Sequence, residues 1–203
     1  MTDSTRKTRL GLTFAFIAVA SSAIAPASAT ASTAAAITTT AALPFWHAGY
    51  STTNLIGPFH IVNGHSNKCL TVLGAGGAEN TSAVQFTCDK TYPFNEDWYL
   101  EDLSAFNKYF HIRNRHSGKC LTVLGASKAE NAKVVQFTCD YTFPFNEQWY
   151  LVDLSPADGY YHIVNRNSNK CLTVLGASGA NNASAVQFTC DKFPPYNEKW
   201  VLS

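Results

Sequence analysis

Lys68-Cys69-Leu70-Thr71-Val72-Leu73-Gly74-Ala75 recurs letter for letter as Lys119–Ala126 and again as Lys170–Ala177, 51 residues apart each time. Two further blocks keep the same step. Gln-Phe-Thr-Cys-Asp begins at Gln85, Gln136 and Gln187, and Asn-Glu-x-Trp begins at Asn95, Asn146 and Asn197. A fixed period of this length means one supersecondary unit built three times. An open array of such units needs polar capping repeats at its ends. The third copy runs to Trp200, with only Val201, Leu202 and Ser203 after it. The expectation is therefore closure, with three units around a pseudo-threefold axis sharing one core.

The second repeat serves as a template for local structure. Tyr109–Arg113 alternates, with Phe110 and Ile112 on one face. Lys119–Leu124 reads as a second strand ended by Gly125, Val134–Cys139 as a third, and Gln148–Val152 as a fourth with Trp149 and Leu151 on one face. Turn residues separate them, as at Arg115-His116-Ser117-Gly118 and Phe143-Pro144-Phe145-Asn146. The repeat region has no sustained helical period. Four strands in three units make twelve, the count of an all-β β-trefoil: a closed six-stranded barrel capped by three hairpins. Closure removes sheet edges that otherwise invite aggregation.

The ends and the composition bound the function. Arg6, Lys7 and Arg9 precede an apolar run, Leu10–Ala25, and a small-x-small site at Ala27-Ser28-Ala29. This pattern reads as a signal peptide over residues 1–29, so the chain is expected to be secreted. Residues 30–50 form an Ala/Thr-rich linker holding Trp46, and the folded domain spans 51–203. Losing residues 1–29 removes Arg6, Lys7, Arg9 and Asp3. That leaves twelve basic and thirteen acidic residues, a net of −1. With no basic patch, neither nucleic acid nor an anionic membrane is the expected partner. A monomer is expected.

Six cysteines, two per repeat and 19 apart within each, suit an oxidising compartment. Six allow fifteen pairings. Threefold repetition favours Cys69–Cys88, Cys120–Cys139 and Cys171–Cys190, each closing a loop worth about 3 kcal/mol in the chain-entropy model. Metal-ligand spacing such as Cys-x-x-Cys is missing, so no metal or other cofactor is expected. Trp98, Trp149 and Trp200 read as core rings. His60, His111 and His162 fall in register and read as partly exposed, hydrogen-bonded histidines. Asn80-Thr81-Ser82 and Asn182-Ala183-Ser184 match glycosylation acceptors and mark surface loops.

These residues resemble a known family. A cystine per repeat, the Cys-Leu-x-Val block and a terminal Asn-x-x-Trp are similar to the ricin B-type (R-type) lectins, especially secreted actinobacterial members with a Gln-x-Trp repeat. The resemblance covers residues 51–203. It implies a shallow sugar pocket in each repeat. The pocket would be built from an acid just after Cys-Leu, an aromatic two residues before the second Cys, and an Asn-Gln pair before the Trp. The aromatic face would stack on the apolar face of a pyranose, and the polar groups would bond neighbouring hydroxyls.

Carried onto this chain, the aromatic is Phe86, Phe137 or Phe188, and the Asn is Asn95, Asn146 or Asn197. Two positions depart from the pattern. Thr71, Thr122 and Thr173 stand where the acid is expected, and Glu96, Glu147 and Glu198 stand for the Gln. Losing a charge-assisted acceptor weakens a site by about 1.5–3 kcal/mol. The Glu either restores a carboxylate from the opposite wall or is a solvated surface acid. The strand Val134–Cys139 also leaves a choice. Either Val134 and Gln136 face inward and Phe137 is free to stack, or the register slips and Phe137 becomes core.

Three functions compete. The first is a non-catalytic lectin that engages extracellular glycans or polysaccharide through up to three weak, repeat-related sites. The second is a secreted protein-binding trefoil, such as a protease inhibitor, that has lost sugar binding. Near-identical repeats count against it, because inhibitory trefoils act through one distinctive loop. The third is an enzyme. Any acid/base pair, such as Asp140 with Glu147, exists in triplicate, and neither a phosphate loop nor Gly-x-Ser-x-Gly is present. No catalytic residue is therefore assigned.

Overall fold

The computed structural model describes residues 55–103, 108–155, 157–191 and 196–203. The expected signal at 1–29, the linker at 30–50, Trp46 and residues 51–54 lie outside them. Twelve strands follow one another. They are β1 (Leu55–Asn63), β2 (Cys69–Val72), β3 (Ala83–Phe86) and β4 (Asp97–Asp102), then β5 (Phe110–Asn114), β6 (Cys120–Val123), β7 (Val134–Phe137) and β8 (Gln148–Ser155). The last four are β9 (Tyr160–Asn165), β10 (Cys171–Val174), β11 (Ala185–Phe188) and β12 (Lys199–Leu202).

The expected strands of the template repeat are all present with shifted ends. The run to Leu124 stops at Val123, because Leu124-Gly125-Ala126 coils into a 3-10 turn in which Gly125 takes φ 61°. The last strand runs on to Ser155. Antiparallel pairing links β1 to β4, β4 to β5, β5 to β8, β8 to β9, β9 to β12 and β12 back to β1. These six strands form a closed barrel. The remaining six form three hairpins, β2–β3, β6–β7 and β10–β11, each joined to the barrel through its first strand. Disulfides join Cys69 to Cys88, Cys120 to Cys139 and Cys171 to Cys190.

Trp98, Trp149 and Trp200 are fully buried in one cluster with Ile61, Ile112, Ile163 and the leucines of the Cys-Leu-Thr-Val blocks. Each indole N–H donates to a leucine carbonyl of its own repeat, at 2.9, 2.8 and 2.9 Å for Leu70, Leu121 and Leu172. The buried rings are thus satisfied as well as packed.

The hairpins interlock around the threefold axis, and this decides the open register. Bridges join Ser82 to Val135, Lys133 to Val186 and Val84 to Ser184. Neighbouring hairpins therefore cover the faces that would otherwise meet water. Val134, Val135 and Gln136 are all buried, while Phe137 is exposed. Simple alternation fails here because both faces of the hairpin strand are enclosed. Gln136 is satisfied in a ring of its own. Its Nε2 donates to the carbonyls of Gly76 and Ala78 at 2.7 and 2.9 Å, and its Oε1 accepts from Ser117 Oγ at 2.7 Å. Gln187 reaches Ser127 and Ala129 in the second repeat, and Gln85 reaches Ser178 and Ala180 in the third. Each repeat thus clamps the turn of the one before it, and the cycle closes.

Candidate functional site

Three equivalent hollows open beside the hairpins. The first brings together Thr71, Phe86, Asn95 and Glu96 with the Leu73-Gly74-Ala75 turn. The second gathers Thr122, Phe137, Asn146 and Glu147, and the third Thr173, Phe188, Asn197 and Glu198. All twelve residues singled out in the sequence therefore converge, four to a hollow. Their spacing follows from the fold. Cys69 pairs with Phe86 across the hairpin, and the loop before β4 folds back to set the Asn and Glu against it.

Phe86, Phe137 and Phe188 are 39%, 37% and 40% exposed, so one face of each ring is free to stack. Thr71, Thr122 and Thr173 are buried and used up. Each hydroxyl accepts from the Asn carboxamide, at 2.6, 2.7 and 2.6 Å. Each in turn donates to that Asn's backbone carbonyl, at 3.2, 3.4 and 3.2 Å. The Asn Nδ2 also donates to Val72, Val123 or Val174. The next repeat fixes the same Asn carbonyls, since Asn114 donates to Asn95 and Asn165 to Asn146. Among the described residues the Oδ1 atoms of Asn95 and Asn146 accept no hydrogen bond.

Reading the Glu as a solvated surface acid does not hold. Glu96, Glu147 and Glu198 are only 5%, 5% and 7% exposed. One oxygen of each accepts the backbone N–H just after the second cysteine, from Asp89 at 2.5 Å, from Asp140, and from Asp191 at 2.5 Å. The carboxylate ties the post-cystine loop to the barrel and is itself largely shielded from solvent. Burial pushes all three carboxyls above the usual glutamate value. Asp140 moves the other way, held low by the hydroxyl and N–H of Thr142.

Each hollow also takes an asparagine from another repeat that sequence reasoning missed as part of the site. Asn182 of the third repeat lines the first hollow, Asn80 of the first lines the second, and Asn131 of the second lines the third. They lie far in sequence from the blocks they face, and only interlocking of the hairpins brings them in. The recurrence of Asn at one phase of the period was the available signal. Pro93 and Pro144 also line hollows, and beside them Tyr92 and Phe143 are 78% and 79% exposed.

The histidines differ from expectation in their burial. His60, His111 and His162 are 9%, 0% and 5% exposed. Each lies beside the disulfide of its repeat, whose sulfurs are committed to the S–S bond. Tyr141 covers His111 with ring centroids 4.6 Å apart, and burial holds His162 below its usual value. Hydrogen bonding is as expected for His60, whose Nε2 meets Asp97 at 2.9 Å, and for His111, whose Nδ1 lies 3.4 Å from Glu101.

The family described as ricin-type β-trefoil lectin domain-like matches the chain three times, over residues 45–137, 94–189 and 145–203. Among solved structures, the chain is 35% identical to a designed threefold-symmetric protein, ThreeFoil. The TM-score is 0.65, and the match covers 72% of this chain and 98% of that one. An exo-β-1,3-galactanase from Clostridium thermocellum is 28% identical at TM-score 0.65, over 71% of this chain but only 29% of the enzyme. The C-half of an earthworm R-type lectin, solved in complex with GalNAc, has the same fold at 16% identity and TM-score 0.55, over 71% of this chain and 96% of that one. No curated protein matches.

Proposed function

The chain belongs to the ricin-type β-trefoil lectin domain-like family, and from that premise we propose that it is a secreted, non-catalytic carbohydrate-binding protein with three weak sites. The observation that carries this reading is the exposed Phe in each hollow, set against a buried Thr bonded to a half-buried Asn and a desolvated Glu. An aromatic platform beside a few fixed polar groups is the chemistry a pyranose needs. The Thr substitution removes the strongest acceptor, so each site is weak, and a polymer is held by engaging several at once. The earthworm relative was solved with GalNAc and a second relative is a galactanase. Galactose-type sugars are accordingly the first ligands to try.

The test is a glycan array probed with the purified protein, including β-1,3-galactan and GalNAc-terminated glycans. Retention that free sugar reverses supports the reading. Retention of a protein ligand with no response to any glycan favours the alternative, a protein-binding trefoil.

A further inference from the structure

We infer that each sugar pocket is shared between two repeats, its last ligand contact being the carboxamide of Asn182, Asn80 or Asn131 from the neighbouring repeat. The inference rests on the carbohydrate reading above and adds a residue to it. Three observations carry it. First, the contribution is threefold: every hollow is lined by one of these asparagines, always from another repeat.

Second, the backbone beneath each is locked. Asn80 N–H donates to the Gln136 carbonyl at 2.9 Å, and Gln136 N–H donates to the Thr81 carbonyl at 2.9 Å. Asn131 with Gln187, and Asn182 with Gln85, repeat this at 2.9 and 2.8 Å. The turn ahead is pinned by the Gln side chain, and in the first two repeats also by Glu79 and Glu130, which accept from Thr138 and Thr189 N–H at 2.9 Å. A side chain on such a base is pre-organised, which lowers the cost of binding. Third, all three are exposed, and no side-chain hydrogen bond joins them to any described residue. Each carboxamide thus has a donor and an acceptor available at the pocket wall.

A conformational explanation competes. These residues take φ of 60°, 58° and 62°, which Asn tolerates better than most residues. Glycine adopts that conformation with less strain but lacks the carboxamide. Asn→Gly therefore separates the two explanations, keeping the turn while removing the contact.

The experiment isolates single pockets. Phe137→Ala with Phe188→Ala leaves the pocket of Phe86, and Phe86→Ala with Phe137→Ala leaves that of Phe188. Asn182→Gly is then placed in each protein, and affinity is measured by titration with the best glycan from the array. Thermal unfolding confirms that the fold persists. Loss of one neutral hydrogen bond predicts about three- to tenfold weaker binding in the protein that retains the Phe86 pocket. A loss confined to the Phe188 pocket, in Asn182's own repeat, overturns the inference. So does unchanged affinity in both proteins, which would leave the carbohydrate reading standing. Failure of the unsubstituted protein to bind any glycan removes that reading and this inference together.

Discussion

Thr122 Oγ1 accepts from Asn146 Nδ2 at 2.7 Å and donates to the backbone carbonyl of the same residue at 3.4 Å. The hydroxyl at the position where the resemblance implies an acid is therefore engaged by Asn146 through both bonds. Thr122→Asp should change this. The carboxylate keeps the bond to Nδ2 and has lone pairs left for sugar hydroxyls. In a protein retaining only the Phe137 pocket, affinity is expected to rise by about 1–2 kcal/mol, the margin of charge-assisted over neutral bonds. Stability should fall, because buried Glu147 is close by. Calorimetric titration checks the first outcome and thermal unfolding the second. Unchanged affinity would mean that the hydroxyl is not what limits the site.

Gln136→Leu probes the closure of the rotor. Leucine keeps the apolar bulk but removes one hydrogen bond each from Gly76 O, Ala78 O and Ser117 Oγ, of which Ala78 O keeps Thr81 Oγ1 and Ser117 Oγ keeps Asn114 Oδ1. Water reaches part of that turn, so the expected cost is about 2 kcal/mol and less than the sum of three buried bonds. Urea unfolding without reductant measures it. A loss under about 0.5 kcal/mol, the usual effect of a surface change, would show that the ring of glutamines does not hold the repeats together.

Repeats, strands and core tryptophans were legible because they depend on local pattern repeated three times. Phe137 was not settled by pattern. Its strand buries Val134, Val135 and Gln136 in succession, and the second face is covered only by hairpins from other repeats. Asn80 read only as part of a surface loop for the same reason, since it faces a pocket whose Phe137 lies in the next repeat. Pattern left Glu147 open between a pocket carboxylate and a solvated surface acid, because its partner is a backbone N–H, that of Asp140, which no side-chain motif advertises. What pattern could not supply was contact between repeats and, for Glu147, a side chain's bond to backbone within its own loop.

Glu147 also makes a pH prediction. Burial raises its carboxyl above the ordinary value of 4.5. The folded state then holds the proton more tightly than the unfolded chain. The group's contribution is most favourable below that value and declines as pH rises through the raised folded one. Glutamine does not titrate, and its Oε1 can still accept from Asp140 N–H. The stability difference, Glu147→Gln minus wild type, should therefore grow more positive from pH 4 to pH 7. Other shifted acids, such as Glu101 and Glu130, are common to both proteins and largely cancel. Urea titrations at several pH values read the trend. A difference flat with pH would show that the carboxylate is not desolvated. If Glu147 also supplies the sugar's charged acceptor, the same well-folded variant loses binding at the Phe137 pocket.

Phe137→Ala separates affinity from avidity. The ring is 37% exposed and caps no core cluster, so stability should change by less than about 1 kcal/mol. With three equal sites, losing one leaves monosaccharide affinity per remaining site untouched. Retention on a polysaccharide depends on simultaneous engagement, where each linked site multiplies binding by its effective concentration. The expected result is at least a roughly tenfold loss of apparent affinity for the polymer, beside an unchanged dissociation constant for the monosaccharide. Affinity electrophoresis in polysaccharide gels gives the first number and titration the second. Equal small losses in both would mean that the pockets act singly, and that triplication serves the fold instead of the ligand.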